Sequence, residues 1–262
     1  MPMNNKYQSG VNTSWQHVSK WYRKLVNKEG HYYHQHTIIP GVLKLLNLRP
    51  DDSLLDLACG EGILGRAISK EIYYQGFDIA SSLITLAKKY DKLLNHHYQI
   101  ADITNLLPLS KYNFTKGAII LALQNIENPR NVILNFQKHL VGGGQLIIII
   151  NHPYFRIPRQ TSWETDPNSK MQYRRVNRYL SPLKIPINQQ PSEREKSPII
   201  WSFHYPLSSY SQFLYETGFV IEKIEEWVSD KRSEGKAGKM ENRARAEFPL
   251  FMAVLARKIK HL

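Results

Sequence analysis

The chain has 262 residues, a net charge of +13 and an apolar fraction of 42%, enough to bury a substantial core and too apolar for a disordered polyelectrolyte. No apolar stretch is long enough to cross a bilayer, the opening MPMNNKYQSG lacks the apolar core of a signal peptide, and the single cysteine, Cys59, makes neither an internal disulfide nor a structural zinc site. A cytoplasmic protein with no membrane insertion and no bound metal is the expectation.

Residues 1–50 hold the stretches SWQHVSKWYRKLV and HTIIPGVLKLLNL, two helices expected to form a lid over the C-terminal edge of the first strand. From Ser53, short apolar runs alternate with amphipathic stretches, the rhythm of βαβ units around a mainly parallel sheet. Strands are expected at SLLDLAC, IYYQGFD, HYQIAD, KGAIILAL and GQLIIIIN, the last apolar on both faces as a sandwiched strand should be. Ser81 is placed as the cap of one intervening helix, and Asn128-Pro129 opens another that stops at Gly142-Gly143-Gly144. Residues 51–150 are thus expected to form a Rossmann-like core.

After Asn151 the rhythm breaks. Residues 151–206 are rich in proline, aromatics and arginine with no helical period, and are expected to form an insertion after the fifth strand that caps the core. Residues 207–262 return to the core with a helix, LSSYSQFLYETGF, capped by Ser208 and ended near Gly218, and two strands, VIEKIEEWV and PLFMAVLARKI. No helix is expected in the charged segment between those strands, which predicts an antiparallel finish to the sheet of a single overall domain. Residues 1–50 carry seven Lys/Arg against one acid and residues 151–206 nine against four, while residues 51–150 balance nine against nine. That excess suggests an anionic substrate or partner, or simply a solvated basic surface.

Within LLDLACGEGILGRAI, glycines 60, 62 and 65 have the G-x-G-x-x-G spacing that lets a ligand approach the backbone beside a helix N-terminus. A dinucleotide site wants an apolar residue ahead of these glycines, where this chain has Asp56. An acid there suits a ligand with a cationic group and no phosphate, such as the α-amino group of S-adenosylmethionine. Asp78 ends the second strand, where a carboxylate accepts hydrogen bonds from ribose hydroxyls, and Asp102 ends the third, where it can take an adenine amine with the Ile103 N–H on a ring nitrogen.

These residues resemble the class I S-adenosylmethionine-dependent methyltransferases, small-molecule branch. LLDLACGEG is similar to the family's first motif with Ala58 in place of its first glycine, GFDIASSLITLAKK to the second, and ADI to the third; ALQNIENPRNVILNFQKHLVGGGQLIIII is similar to the segment after strand four. The resemblance implies a doubly wound α/β sheet of seven strands with the last antiparallel. It places Asp56, Ala58, Cys59, Gly60 and Gly62 against the methionine and ribose portion, with Asp78 and Ile79 at the ribose and Asp102 with Ile103 at the adenine. Ala122, Leu123 and Gln124 would border the sulfonium, and Tyr22 would lie over the cofactor.

Methyl transfer is largely positioning, with histidine a suitable base for a protonated oxygen or nitrogen nucleophile. His152 and His204 are the candidate bases, and His34, His36, Tyr154, Arg159 and Arg174 the candidate substrate contacts. A small-molecule acceptor in a monomer or homodimer is the leading expectation. An RNA or protein acceptor draws on the basic flanks but has no N-P-P-Y-like sequence after strand four, and a non-catalytic scaffold that keeps the fold is the remaining reading.

Overall fold

The computed structural model describes residues 31–109, 113–188 and 199–260. The first lid helix expected over 14–26 lies outside them. The second begins as a π-helical turn, His34–Ile38, and continues as α1, Ile39–Leu46, with Pro40 in its first turn and Asn47 ending it in a left-handed conformation.

The core follows in chain order: β1 (Ser53–Leu57), α2 (Ile63–Ala67), β2 (Tyr73–Asp78), α3 (Ser81–Tyr90), β3 (His96–Ile100), β4 (Phe114–Ile120), α4 (Pro129–His139) and β5 (Leu140–Asn151). The insertion consists of two antiparallel hairpins, β6 (Thr161–Asp166) with β7 (Met171–Val176) and β8 (Leu183–Asn188) with β9 (Ile199–His204). The chain then returns through α5 (Leu207–Glu216), β10 (Phe219–Trp227), α6 (Gly238–Glu247) and β11 (Phe251–Lys258). Seven strands form one sheet in the order β10-β11-β5-β4-β1-β2-β3. Neighbours from β5 to β3 are parallel, and β11 runs antiparallel to both β5 and β10.

The double-sided apolar pattern of β5 explains why it sits inside. Leu146, Ile148 and Ile150 face a core completed by Phe136 of α4 and Leu214 of α5, while Ile147 and Ile149 face one completed by Val42 of α1 and Leu64 of α2. Each such fully buried side chain contributes about 1.5–3 kcal/mol. The lid segment is fixed to the far end of the sheet. A side chain on Gly41 would come within 2.5 Å of the Trp227 ring, Tyr32 Oη donates to Asp230 (2.9 Å), and Tyr33 Oη bonds Ser229 (2.9 Å). Among the described residues no helix is long and apolar enough to cross a membrane.

Several local expectations are corrected. Ala80 and Pro206, not Ser81 and Ser208, occupy the cap positions of α3 and α5, and neither helix has a side-chain cap. Helix α4 ends at His139, so the three glycines lie inside β5, where they carry the register jump between Leu140↔Phe114 and Gln145↔Lys116. The charged segment between the last two strands contains α6, of whose residues only Gly238 and Ala244 are buried. It packs against the first insertion hairpin rather than the sheet, with Phe248 edge-on to Phe155 and Trp163.

Candidate cofactor and acceptor site

At the C-terminal end of β1 the chain turns sharply. Ala58 has φ +61°, a left-handed conformation that costs a non-glycine residue about 1–2 kcal/mol, and Leu121 at the end of the neighbouring β4 has φ +52°. Both strained residues fall at the C-terminal edge of adjacent central strands. Cys59 N–H donates to Phe77 O (2.9 Å), and Gly60 (φ +58°) donates its N–H to Asp78 Oδ2 (2.9 Å), tying the glycine loop to β2. Gly62 caps α2, and Gly65 on that helix lies so close to β3 that an added methyl would meet Tyr98 Oη at 2.2 Å.

Asp56 is buried, and Tyr74 Oη donates to its Oδ2 at 2.6 Å. Burial pushes its carboxyl up to about 7, against the Tyr74 hydrogen bond and with help from the nearby Asp78 charge. Burial also raises the Asp78 carboxyl, offset by backbone N–H donors that include Ala80 (2.8 Å) and Gly60. The buried Cys59 thiol is pushed up well above its ordinary value, so it is a small packing residue and not a nucleophile. Ile79 is half-buried just beyond Asp78. Asp102 spends its carboxylate on its own turn, accepting from Thr104 N–H (2.9 Å), Thr104 Oγ1 (2.7 Å) and Asn105 Nδ2 (2.9 Å). The adjacent Ile103 N–H has no acceptor among the described residues, while its carbonyl receives Asn135 Nδ2 (2.7 Å).

Beyond β4, Ala122 leads into a 3-10 turn, Leu123–Asn125. The Leu123 side chain is fully buried in the core, so only its backbone reaches the edge. Gln124 donates Nε2–H to Leu121 O (2.8 Å), which leaves Oε1 buried without a partner among the described residues. The second hairpin closes over this turn, with Ser202 Oγ donating to Gln124 O (3.5 Å). A cavity of about 30 Å³ results, lined by Gln124, His152, Arg156, Phe203 and His204 among others.

The two candidate bases meet at this cavity in different states. His152 is buried with Nε2–H donated to Glu226 Oε1 (2.7 Å) and Nδ1 accepting from Tyr154 N–H (3.2 Å) and Phe155 N–H (3.3 Å). Neither nitrogen is left for a substrate proton, and burial lowers its pKa despite Glu226. It holds the turn from β5 into the insertion. His204 donates Nε2–H to Tyr179 O (2.6 Å), fixing the tautomer in which Nδ1 carries the lone pair, and burial keeps it neutral by lowering its pKa.

Residues 55–148 match the family model for a methyltransferase domain. The fold is shared with an S-adenosylmethionine-dependent methyltransferase from Mesorhizobium loti (22% identity, 83% of this chain and 96% of that one, TM-score 0.63) and with one from Clostridium acetobutylicum (17%, 94% and 99%, TM-score 0.55). By that match residues 55–148 are a methyltransferase domain, set in the fold that those S-adenosylmethionine-dependent methyltransferases share. A chain from the complex that contains the Haloferax volcanii Trm112 methyltransferase activator is also similar (12%, 95% and 100%, TM-score 0.65), and no curated protein matches the sequence.

The remaining expected contacts scatter. Tyr22 lies outside the described residues. His34 is packed inside the lid, its pKa lowered by burial to about 4, and His36 stacks on Tyr32 (4.1 Å) beside Asp230 (3.5 Å); neither lines the cavity. Tyr154 is exposed among Phe155 and Tyr179, and Arg159 (φ +61°) is exposed. Arg174 donates to Phe155 O (2.9 Å) and Thr161 Oγ1 (2.7 Å) with its guanidinium over Trp163, so it staples the first hairpin rather than greeting a ligand. Among the described residues no cluster of three His, Cys, Asp or Glu side chains is placed to hold a metal. In sequence Arg156 is one of several insertion arginines; only the fold separates it from them, by lining the cavity with it.

Proposed function

We propose that this methyltransferase acts on a small-molecule acceptor enclosed between the turn after β4 and the insertion. The carrying observation is that Gln124, at the position the resemblance puts beside the sulfonium, lines a small recess shared with His204. A flat groove would suit a macromolecule better.

The residues present fit S-adenosylmethionine. Asp56, buried and poised near neutrality, would balance the ligand's ammonium, and the glycine loop from Ala58 to Gly62 with Cys59 would lie along its methionine arm. Asp78 and Ile79 would take the ribose, the lone pairs of Asp78 not used by Gly60 and Ala80 accepting its hydroxyls. The free Ile103 N–H would take an adenine ring nitrogen. Asp102 would accept the exocyclic amine only by sharing oxygens already given to Thr104 and Asn105. Ala122, Leu123 and Gln124 would border the sulfonium through the backbone of their turn.

When bound, the cofactor supplies a sulfonium-activated methyl group for in-line transfer, sulfur keeping the electron pair. The chain's share is placement and proton handling. Gln124 Oε1 would accept a hydrogen bond from the nucleophile and His204 Nδ1 its proton, while Tyr179 O holds the ring in orientation. His152 would act as a positioning residue for the insertion.

The test is calorimetric titration with S-adenosylhomocysteine, followed by incubation with methyl-labelled cofactor and separated metabolite, RNA and protein fractions of a cell extract. Micromolar binding and label in the metabolite fraction alone are expected. Label in RNA or protein would overturn the acceptor reading, and binding with no labelled product in any fraction would favour a scaffold role.

A further inference from the structure

The insertion's arginines differ in what surrounds them. Arg174 has two donors engaged by Phe155 O and Thr161 Oγ1, Arg175 faces Glu164 (3.7 Å) and Arg159 is solvated, but Arg156 is half-buried at the cavity and its guanidinium has no acceptor or carboxylate partner among the described residues. Its backbone is fixed, N–H to His152 O at 2.9 Å, so the side chain leaves a defined point. The guanidinium nitrogens are open to the cavity's water, a free fork that an incoming anion can take up.

The same cavity also has acceptors in its lining. Gln124 Oε1 is buried and has no partner among the described residues, and His204 Nδ1 is the lone-pair nitrogen of its ring. A group that satisfies those acceptors must donate a proton. We propose that this cavity is a subsite for a small hydroxy or amino acid, its carboxylate on Arg156 and its O–H or N–H on Gln124 and His204. This rests on the small-molecule methyl-transfer reading and names its substrate class. A volume of about 30 Å³ takes a planar carboxylate-sized head group, and a guanidinium fork matches a planar carboxylate with two parallel hydrogen bonds. Partial burial lowers the Arg156 pKa, against the Tyr33 hydroxyl of the lid, which raises it.

The probes are salicylate, which carries a hydroxyl beside its carboxylate, its neutral amide salicylamide, and inorganic phosphate, each titrated into protein with and without S-adenosylhomocysteine. Wild type is expected to bind salicylate at least tenfold more tightly than salicylamide and than phosphate. Arg156→Gln is expected to bind salicylate and salicylamide alike with unchanged S-adenosylhomocysteine affinity, and Arg156→Lys, which keeps charge without the fork, to recover part of the preference. Equal or undetectable binding of salicylate and salicylamide by wild type overturns the proposal, as does tighter binding of phosphate. A tenfold loss of S-adenosylhomocysteine affinity in Arg156→Gln also overturns it, because the guanidinium would then serve the cofactor. If wild type fails to bind S-adenosylhomocysteine yet keeps an Arg156-dependent preference for salicylate, the subsite stands and the methyl-transfer reading falls.

Discussion

Replacing Asp56 by Asn should make the protein more stable at neutral pH while weakening its cofactor site. The carboxyl is buried, has the Tyr74 hydroxyl as its donor, and titrates near 7 against an ordinary 3.8. Below pH 3.8 the folded and unfolded chains both hold the proton. Between 3.8 and about 7 the unfolded chain has released it and the folded chain has not, so stability falls as pH rises, and above 7 the loss is complete. A gap of about three pH units at about 1.4 kcal/mol each makes that loss about 4 kcal/mol. Asparagine keeps the size and the acceptor for Tyr74 but has nothing to titrate. Urea denaturation of both proteins at pH 4.5, 6 and 7.5 is the assay, with the wild-type-minus-variant difference as readout so that other groups cancel. The difference should move against wild type by about 3 kcal/mol across that range, part of the loss having already occurred below pH 4.5, and parallel pH curves would refute the reasoning. The same swap should weaken S-adenosylhomocysteine binding at least tenfold, since a neutral amide no longer balances the ammonium.

His34 should give a pH effect of opposite sign. Its folded-state pKa is lowered to about 4 from 6.5, so as pH falls through that window the unfolded chain takes up a proton first and about 3 kcal/mol of stability is lost; His34→Gln should remove this acid limb in the same urea series. Gly65→Ala should cost about 2–3 kcal/mol, because its methyl would force Tyr98 off Asp91, which it now meets at 2.6 Å. Tyr98→Phe in that background should recover part of the loss, and a cost below about 0.5 kcal/mol in urea would show that the helix has room to move.

The sheet was legible because its signals are local. Five apolar runs separated by amphipathic ones leave few topologies, and the acids near the ends of three strands fall together on one edge of the sheet. What sequence hid depends on distant partners. Helix α6 buries only Gly238 and Ala244, so it has no apolar stripe to betray it. The hairpin strands of the insertion are half-exposed and interrupted by proline, Pro186 standing within β8, which blurs their alternation. His152 and Arg174 looked like free chemistry because nothing in the sequence says that Glu226 and Phe155 O will occupy them. Arg156 differs from the other insertion arginines by lining the cavity, which only the fold shows.

The place of β5 in the sheet also sets the order in which the protein has to be made. Its run Leu146–Ile150 is buried between β4 and β11, and β11 comes after every other strand of the sheet. On the ribosome that row of unpaired backbone groups must wait for about a hundred more residues, several seconds at ordinary synthesis rates, before its partner emerges. Until then the nascent chain presents an apolar strand edge of the kind that recruits other chains. Premature termination anywhere before Phe251 leaves the product with that edge open, a substrate for chaperones or for aggregation rather than a smaller working enzyme.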